Sequence, residues 1–381
     1  MIALTEPRIA SSALAFRGYN QTNLGRTPEL LEIPAYRATM ERRLLEAADL
    51  CEQATGRPTD LVARVTDRAE PGLERYAEAI AIVFAAEMAQ VDLLREVHGV
   101  EVGGAKMAYG YSLGELVAVA VSGLYPIEQM MRPPLELATD CASMASECTM
   151  AVLFSRSESL NEARIHRLCE EITAAGEGAV AVSAVLSPNT LLVLGEGETI
   201  RRLKSECKTL EGPAIHVRNN DGLWPPLHTP LVRRLHVPDR AALMIRESTR
   251  LSETPRPPIW SLVTGRREYE EDSGREVLRR WVDSPQRLWD VVEATLAADV
   301  RTVIHIGPEP NVIPATFTRL ADNVVKQTLA WSLSGVGMRT VQQMAHSSWL
   351  TPLLPRSGCL LRAPRVEHVV LEDWLLENAP A

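Results

Sequence analysis

The segment Gly110-Tyr-Ser-Leu-Gly-Glu115 constrains this chain more than any other stretch. A serine between two glycines at this spacing fits a tight strand-to-helix turn, which pushes the hydroxyl of Ser112 out of the backbone. The N–H of Leu113 would then lie at a helix N-terminus, where an oxyanion can be stabilised. The apolar run 116–121 is typical of a buried helix. The motif alone leaves a second interpretation open, an ordinary loop with this sequence.

The composition is that of a globular protein. The 381 residues are 46% hydrophobic and 23% charged, which predicts one large domain with a subdomain. A net charge of −9 without a basic run argues against nucleic-acid binding. The first residues predict neither a signal peptide nor a membrane span. The six cysteines lack metal-binding spacing, so we expect reduced thiols in a cytoplasmic protein, with no metal site and no bound cofactor.

Hydrophobic periodicity predicts an α/β protein. Strands are predicted at 13–16, 259–263 and 300–306, and helices at 37–56, 74–98 and 277–298. A further helix at 127–144 contains Pro133 and Pro134, which we expect to break or kink it.

From residue 150 the pattern changes to short alternating units. Strand, helix, strand, strand, helix and strand are predicted at 151–154, 162–174, 179–185, 190–194, 198–209 and 214–217. This order matches the ferredoxin-like split unit. We therefore predict a small subdomain at 148–219, inserted between two parts of the core, 1–147 and 220–330. Residues 331–381 form a C-terminal extension without an assigned role.

A serine nucleophile needs a general base. Among the eight histidines, His228 has the most unusual surroundings, Leu223-Trp-Pro-Pro-Leu-His-Thr-Pro230, where prolines stiffen the loop. We therefore predict that His228 is the base for Ser112; a solvent-exposed loop histidine is the alternative. His216 and His305 lie within strand-like runs, and we expect both to be packed.

The order of these motifs resembles that of one family, the malonyl-CoA:acyl-carrier-protein transacylases together with the acyltransferase domains of polyketide synthases. Five segments stand in the family's order, with the family pattern in parentheses: 16–21 (F-P-G-Q-G-S), 110–115 (G-H-S-L-G-E), 186–195 (the N-S-P strand-turn-strand), 227–231 (F-H-[ST]-P-L) and 306–310 (E-V-G-P-G). The segments around the serine and the histidine are the specific ones, and the other three are supportive.

This resemblance implies a large α/β-hydrolase-like subdomain with a parallel sheet, beside the ferredoxin-like insert. It implies that Ser112 and His228 form a dyad in a ping-pong reaction. The dyad would take an acyl group, malonyl by default, from acyl-CoA and pass it to the phosphopantetheine thiol of an acyl carrier protein. Backbone N–H groups of Leu113 and Tyr19 would form the oxyanion hole, and the protein would be a monomer that binds neither nucleic acid nor membrane.

Several residues depart from the family pattern near the site. Tyr111 stands in place of the histidine beside the nucleophile, and Tyr19 and Asn20 replace Gln and Gly. Arg287 falls where the family has a polar residue near the site, so it is a candidate for supporting the pocket; a solvent-exposed helix arginine is the alternative.

The departure with the largest chemical consequence concerns the arginine that binds the malonyl carboxylate. Leu137 stands at its position, and the nearest arginine is Arg132, five residues earlier. A leucine would leave a buried dicarboxylic acyl group unpaired. Either the acyl group is uncharged, or the kink at Pro133 and Pro134 brings Arg132 into the pocket.

Two other functions remain open. The same dyad with water as acceptor would make an acyl-thioester hydrolase. The substitutions at Tyr19, Asn20 and Tyr111 would also suit a catalytically weak docking protein of a synthase assembly, with 331–381 as its interaction element.

Overall fold

The computed structural model describes residues 3–270, 273–334, 349–350, 353–354 and 357–380. Its strands are β1 (Ser12–Phe16), β2 (Met107–Gly110), β3 (Cys148–Phe154), β4 (Val180–Ser187), β5 (Thr190–Glu196), β6 (His216–Asn220), β7 (Ile259–Ser261), β8 (Arg266–Glu268), β9 (Thr302–Ile306) and β10 (Glu367–Val370). Its helices are α1 (Glu6–Ile9), α2 (Thr27–Glu32), α3 (Pro34–Thr55), α4 (Leu61–Thr66), α5 (Tyr76–Glu96), α6 (Leu113–Val121), α7 (Ile127–Glu136), α8 (Ala138–Ala145), α9 (Glu162–Ala174), α10 (Thr199–Glu206), α11 (Val237–Glu247), α12 (Ser273–Trp281), α13 (Leu288–Ala297), α14 (Val312–Ser334) and α15 (Leu371–Glu377).

The larger sheet has the order β10-β9-β1-β2-β7-β8 and is parallel except for the β7–β8 pair. Every residue of β1, β2 and β9 is buried, as expected for central parallel strands covered on both faces. Phe16 at the end of β1 pairs with Gly110 of β2 and with Ile306 of β9. The loops after these three strands therefore leave the sheet at one edge, where ligands bind in open α/β sheets.

The smaller sheet has the order β4-β5-β3-β6 with antiparallel pairing. Helices α9 and α10 pack on one of its faces, through apolar residues such as Ile165 and Leu203. Together the two sheets confirm the predicted α/β fold with a ferredoxin-like subdomain.

Two predicted helices differ from the structure. Helix α7 runs through Pro133 and Pro134, and the break falls later, at Leu137. The single helix predicted at 277–298 is wrong, because α12 ends at Trp281 and α13 begins at Leu288. Pro285 lies in the connection, where it cannot donate a helical hydrogen bond.

Part of the predicted C-terminal extension belongs to the larger sheet. Strand β10 pairs with β9, and α15 packs against α2 and α5 through Leu371, Trp374 and Leu375. Residues 335–348, which include His346, lie outside the described residues. No helix among the described residues is both long and apolar enough to cross a membrane.

Candidate active site

Ser112 occupies a strained turn between β2 and α6. Its backbone has φ 55° and ψ −116°, a conformation that non-glycine residues adopt rarely and that concentrates at functional sites. A Cβ atom on Gly110 would lie 2.0 Å from the carbonyl carbon of Gly114, and one on Gly114 would lie 2.4 Å from the oxygen of Phe16. Both glycines are therefore required by backbone packing, which confirms that the motif is a strand-to-helix turn.

His228 lies directly beside the serine. Its Nε2 atom is 2.7 Å from Oγ of Ser112, and both side chains are buried, with 4% and 8% exposure. The histidine also has a positive φ, 63°, and its N–H donates to the carbonyl of Val282 at 2.7 Å. The loop between β6 and Pro230 thus holds the imidazole in a fixed position, and the alternative of a solvent-exposed histidine is wrong.

A main-chain carbonyl sets the tautomer of His228. Its Nδ1 atom is 2.9 Å from the carbonyl oxygen of Trp281. A carbonyl only accepts hydrogen bonds, so Nδ1 carries the proton and the lone pair of Nε2 faces the Ser112 hydroxyl. Burial lowers the pKa of His228 to about 4, although the bond to Trp281 opposes this shift. At neutral pH the imidazole is therefore an uncharged base, already aimed at the serine.

Trp281 and Gln286 are two site residues that sequence reasoning missed. The indole N–H of Trp281 donates to the Ser112 carbonyl at 2.9 Å, and the Gln286 side-chain oxygen accepts from the Ser112 N–H at 3.0 Å. The Gln286 backbone is held at the edge of β4 by its N–H to Ser183. Both residues lie near the break between α12 and α13, and Pro285 is the signal that could have placed a loop there.

The backbone N–H groups of Leu113 and Tyr19 belong to the two segments beside Ser112. Leu113 is the first residue of α6, so its N–H has no acceptor within the helix. Tyr19 follows Gly18, where a Cβ atom would lie 2.5 Å from the Tyr111 oxygen and 3.1 Å from the Ser112 Cβ. Among the described residues neither Leu113 nor Tyr19 donates its N–H to an acceptor. Their role as an oxyanion hole stays a prediction.

Buried Arg17 fixes the loop that carries Tyr19. Its guanidinium donates to the carbonyl of Gly18 at 2.7 Å, to the Asn23 side chain at 3.0 Å and to the carbonyl of Pro308. The N–H of Arg17 donates to buried Glu87 at 2.7 Å. Burial lowers the Arg17 pKa and raises the Glu87 pKa well above its usual range. The arginine thereby joins two of the five sequence segments, 16–21 and 306–310.

Glu115 connects the nucleophile helix to the neighbouring strand. Its carboxylate accepts hydrogen bonds from the Ser261 hydroxyl at 2.5 Å, the Tyr269 hydroxyl at 2.6 Å and the Leu262 N–H at 3.0 Å. Burial raises the pKa of this carboxyl to about 7, and the three donors oppose the shift. The acidic residue of the motif thus has a structural role, away from the Ser112 hydroxyl.

A cavity of about 270 Å³ opens between the two subdomains at Ser112 and His228. One wall is the face of the small sheet that carries Met150, Val152, Leu192 and Leu194. These four residues form two directly opposed cross-strand pairs of β3 and β5, so the alternation of the strands places them together. No residue lining this cavity, among those the structure describes, is a lysine, arginine, aspartate or glutamate.

Of the predicted pocket residues, Tyr111 lines this cavity. The structure contradicts the other three. Leu137 is 2% exposed and packs in the core at the junction of α7 and α8. Arg132 is directed outward from α7 and pairs with Glu136 and Glu247.

The third of these residues is Arg287, and its predicted place near the site is one residue off. Arg287 forms ion pairs with Asp290 and Glu162, so it lies between the subdomains, outside the cavity lining. Its neighbour Gln286 faces Ser112 instead. Adjacent residues in an extended segment point to opposite sides, which a helical interpretation of this region hides.

The described cysteines are all free, and five of the six are buried. Within the ranges that the structure describes, no group of three or more His, Cys, Asp or Glu side chains is arranged to hold a metal ion.

Comparison with known proteins gives curated relatives of one kind. The chain is 25% identical over 255 residues to one subunit of the phenolphthiocerol/phthiocerol polyketide synthase, both in Mycobacterium tuberculosis and in Mycobacterium bovis. The match covers 65% of this chain and only 15% of the relative's length. No family model matches the chain.

Solved structures match over most of the fold. FabD from Acinetobacter baumannii has a TM-score of 0.63 at 18% identity, covering 80% of this chain and 89% of its own. The acyltransferase domain from module 8 of the salinomycin polyketide synthase has a TM-score of 0.62 at 21% identity, covering 81% and 67%. A malonyl-transacylase in complex with its type II polyketide synthase acyl-carrier protein has a TM-score of 0.61 at 22% identity, covering 80% and 91%. This chain therefore has the fold of the malonyl-CoA:acyl-carrier-protein transacylases and polyketide synthase acyltransferase domains, and the resemblance predicted from its motifs is confirmed.

Proposed function

We propose that this protein is an acyltransferase that moves an acyl group from a CoA thioester to the phosphopantetheine thiol of an acyl carrier protein, through an ester on Ser112. The observation that carries the proposal is the 2.7 Å contact between the Ser112 hydroxyl and the uncharged imidazole of His228. Both groups are held by backbone contacts in a buried turn, as an activated nucleophile requires. This geometry favours an active enzyme over a catalytically weak docking protein.

In the first half-reaction, Nε2 of His228 takes the hydroxyl proton as Oγ of Ser112 attacks the thioester carbon. The oxyanion forms near the N–H groups of Leu113 and Tyr19, and each such donor typically contributes about 3 kcal/mol. The C–S bond then breaks, and the CoA thiolate takes the proton from the imidazolium. Nδ1 keeps its bond to the Trp281 carbonyl throughout, which stabilises the charged ring.

In the second half-reaction, the carrier thiol gives its proton to His228 and its sulfur attacks the serine ester. The ester bond breaks, and Ser112 recovers its proton from the imidazolium. The fold supports a carrier protein as acceptor, because one structural neighbour is a malonyl-transacylase bound to its acyl-carrier protein. The polyketide synthase relatives point to the same kind of chemistry. With water as acceptor, the same steps would give hydrolysis.

The test is to measure the intact mass of the protein after incubation with several acyl-CoA thioesters. We expect one acyl adduct that is absent in Ser112→Ala and present in Ser146→Ala, a control at an exposed serine outside the cavity lining. Addition of a holo carrier protein should discharge the adduct and acylate the carrier. Discharge at the same rate in buffer alone would indicate a hydrolase, and no adduct with any donor would refute both enzymatic functions.

A further inference from the structure

The side chains that line the cavity beside Ser112 indicate which acyl groups can bind there. Its walls combine the four apolar side chains of β3 and β5 with an aromatic cluster, Tyr19, Tyr76 and Trp224. Tyr19 packs edge-on against Tyr76 with ring centroids 4.7 Å apart, and against Trp224 at 6.1 Å. A carboxylate buried against these walls would lose hydration without gaining a cationic partner, which disfavours its binding.

The two arginines that the sequence predicted near the pocket both form ion pairs elsewhere. Arg132 pairs with Glu136 and Glu247 on the outer side of α7, and Arg287 pairs with Asp290 and Glu162. Leu137 is buried in the core and adds no polar group. The remaining wall residues include uncharged polar side chains such as Asn20, Asn220 and Asn311, so the walls suit an uncharged acyl group.

Tyr76 differs from the other residues named in this wall because it lines two cavities. A chain of contacts leads to it from the nucleophile: Gly18 packs against Ser112, and Tyr19, the next residue, packs against Tyr76. Tyr76 also lines a second cavity, of about 120 Å³, whose other lining residues include the apolar Cys51, Ala138 and Ala142 and the charged Arg57, Glu74, Arg75 and Glu78. Its side chain is 3% exposed, and the residue lines both cavities.

We infer that this enzyme accepts uncharged acyl groups and that Tyr76, which lines both cavities, limits the length of the acyl chain. The inference rests on the proposed function. It assigns Tyr76 as a specificity-determining residue, because removal of the ring would join the two cavities and open about 120 Å³ of further space to the acyl chain.

The experiment compares loading rates for malonyl-, acetyl-, butyryl-, hexanoyl- and octanoyl-CoA by intact mass, in the unmodified protein and in variants. We expect at least one uncharged donor to load ten times faster than malonyl-CoA. Tyr76→Ala should raise the octanoyl-to-butyryl loading ratio at least fivefold, whereas Tyr76→Phe, which keeps the ring, should leave the ratio unchanged. Leu243→Ala changes an exposed leucine of α11 that lines neither cavity, and it is the control.

A second variant keeps the test valid if Tyr76→Ala does not fold, which its thermal unfolding curve would show. Val152→Phe places a larger side chain on the β3 wall and leaves less volume in the cavity. It should therefore lower the octanoyl-to-butyryl loading ratio. Malonyl loading at a rate equal to the best uncharged donor would overturn the inference and leave the acyltransferase intact. An unchanged ratio in folded Tyr76→Ala, or equal losses for all donors, would show that Tyr76 does not limit chain length. No loading of any donor would instead refute the proposed function itself.

Discussion

The turn that carries Ser112 and the cavity beside it are adjacent, but different kinds of contact form them. Around Ser112 and His228, backbone contacts and hydrogen bonds fix each group, and both residues have a positive φ. The cavity wall on β3 and β5 is formed by the apolar side chains of Met150, Val152, Leu192 and Leu194. The proton transfers need positions fixed within hydrogen-bond distance, whereas substrate choice needs only volume and an absence of charge. Substitutions in the turn should therefore impair the reaction itself. Substitutions in the cavity wall should change the acyl-group specificity without abolishing the reaction.

The largest effect should come from removal of the base. His228→Ala leaves Ser112 without a proton acceptor, so we expect acylation to fall about 1,000-fold with every donor. The measurement is the single-turnover rate of adduct formation. His236→Ala, at an exposed histidine outside the cavity lining, is the matched control. If the loss of acylation differed between donors, His228 would take part in substrate selection. The turn and the cavity wall would then not have separate roles.

Gly114→Ala tests whether the turn tolerates a single methyl group. The new Cβ would lie 2.4 Å from the Phe16 oxygen and 2.5 Å from the Arg17 oxygen, and neither backbone group can give way without moving β1. We expect a loss of about 3 kcal/mol in the free energy of unfolding, measured with urea. Gly104→Ala, where a Cβ meets nothing within 4 Å, should be nearly neutral. Equal stability of both variants would contradict the required close packing.

The pH dependence of acylation tests the electrostatics of the turn. His228 acts as a base only when it is neutral, and burial lowers its pKa to about 4. Activity should therefore persist as pH falls through 6.5 and decrease about tenfold per unit only below about 4. The measurement is kcat/KM for loading against pH, with circular dichroism to confirm that the protein stays folded. A midpoint near 6.5 would show that the imidazole is not desolvated in the free enzyme.

Gln286 and Arg287 offer a comparison of two adjacent residues. Gln286→Ala leaves the Ser112 N–H without its acceptor, and we expect acylation to slow about tenfold with all donors. Arg287→Ala removes ion pairs outside the cavity and should change the rate less than about threefold. The reverse order of effects would restore the sequence-based assignment of Arg287 to the site. The urea midpoint of each variant separates loss of positioning from loss of stability.

The smallest effect is expected at Arg132. Its ion pairs with Glu136 and Glu247 are exposed, so Arg132→Leu should change loading of malonyl-CoA and of uncharged donors by less than about twofold. A selective loss of malonyl loading would show that this arginine reaches the substrate and that the cavity is not free of charged side chains.

The sequence by itself determined the local chemistry. Gly110-Tyr-Ser-Leu-Gly predicts the turn because two glycines at that spacing permit a backbone approach that a Cβ forbids. The prolines around His228 predict a stiff loop, and the strand and helix order from 148 predicts the small subdomain. These features appear as local patterns of residue type along the chain, although distant segments complete the contacts.

Tertiary structure decided the surroundings of the dyad. Trp281 reaches Ser112 from the end of α12 and Gln286 from the connection that follows, a break that helical periodicity conceals. Tyr76 lines the cavity from the start of α5. Counting residues from Ser112 does not place an arginine in the cavity, because α7 passes through both prolines and turns Arg132 outward. Spacing along the chain fixes which residues can share a turn, but the packing of distant elements fixes which side chains form the walls.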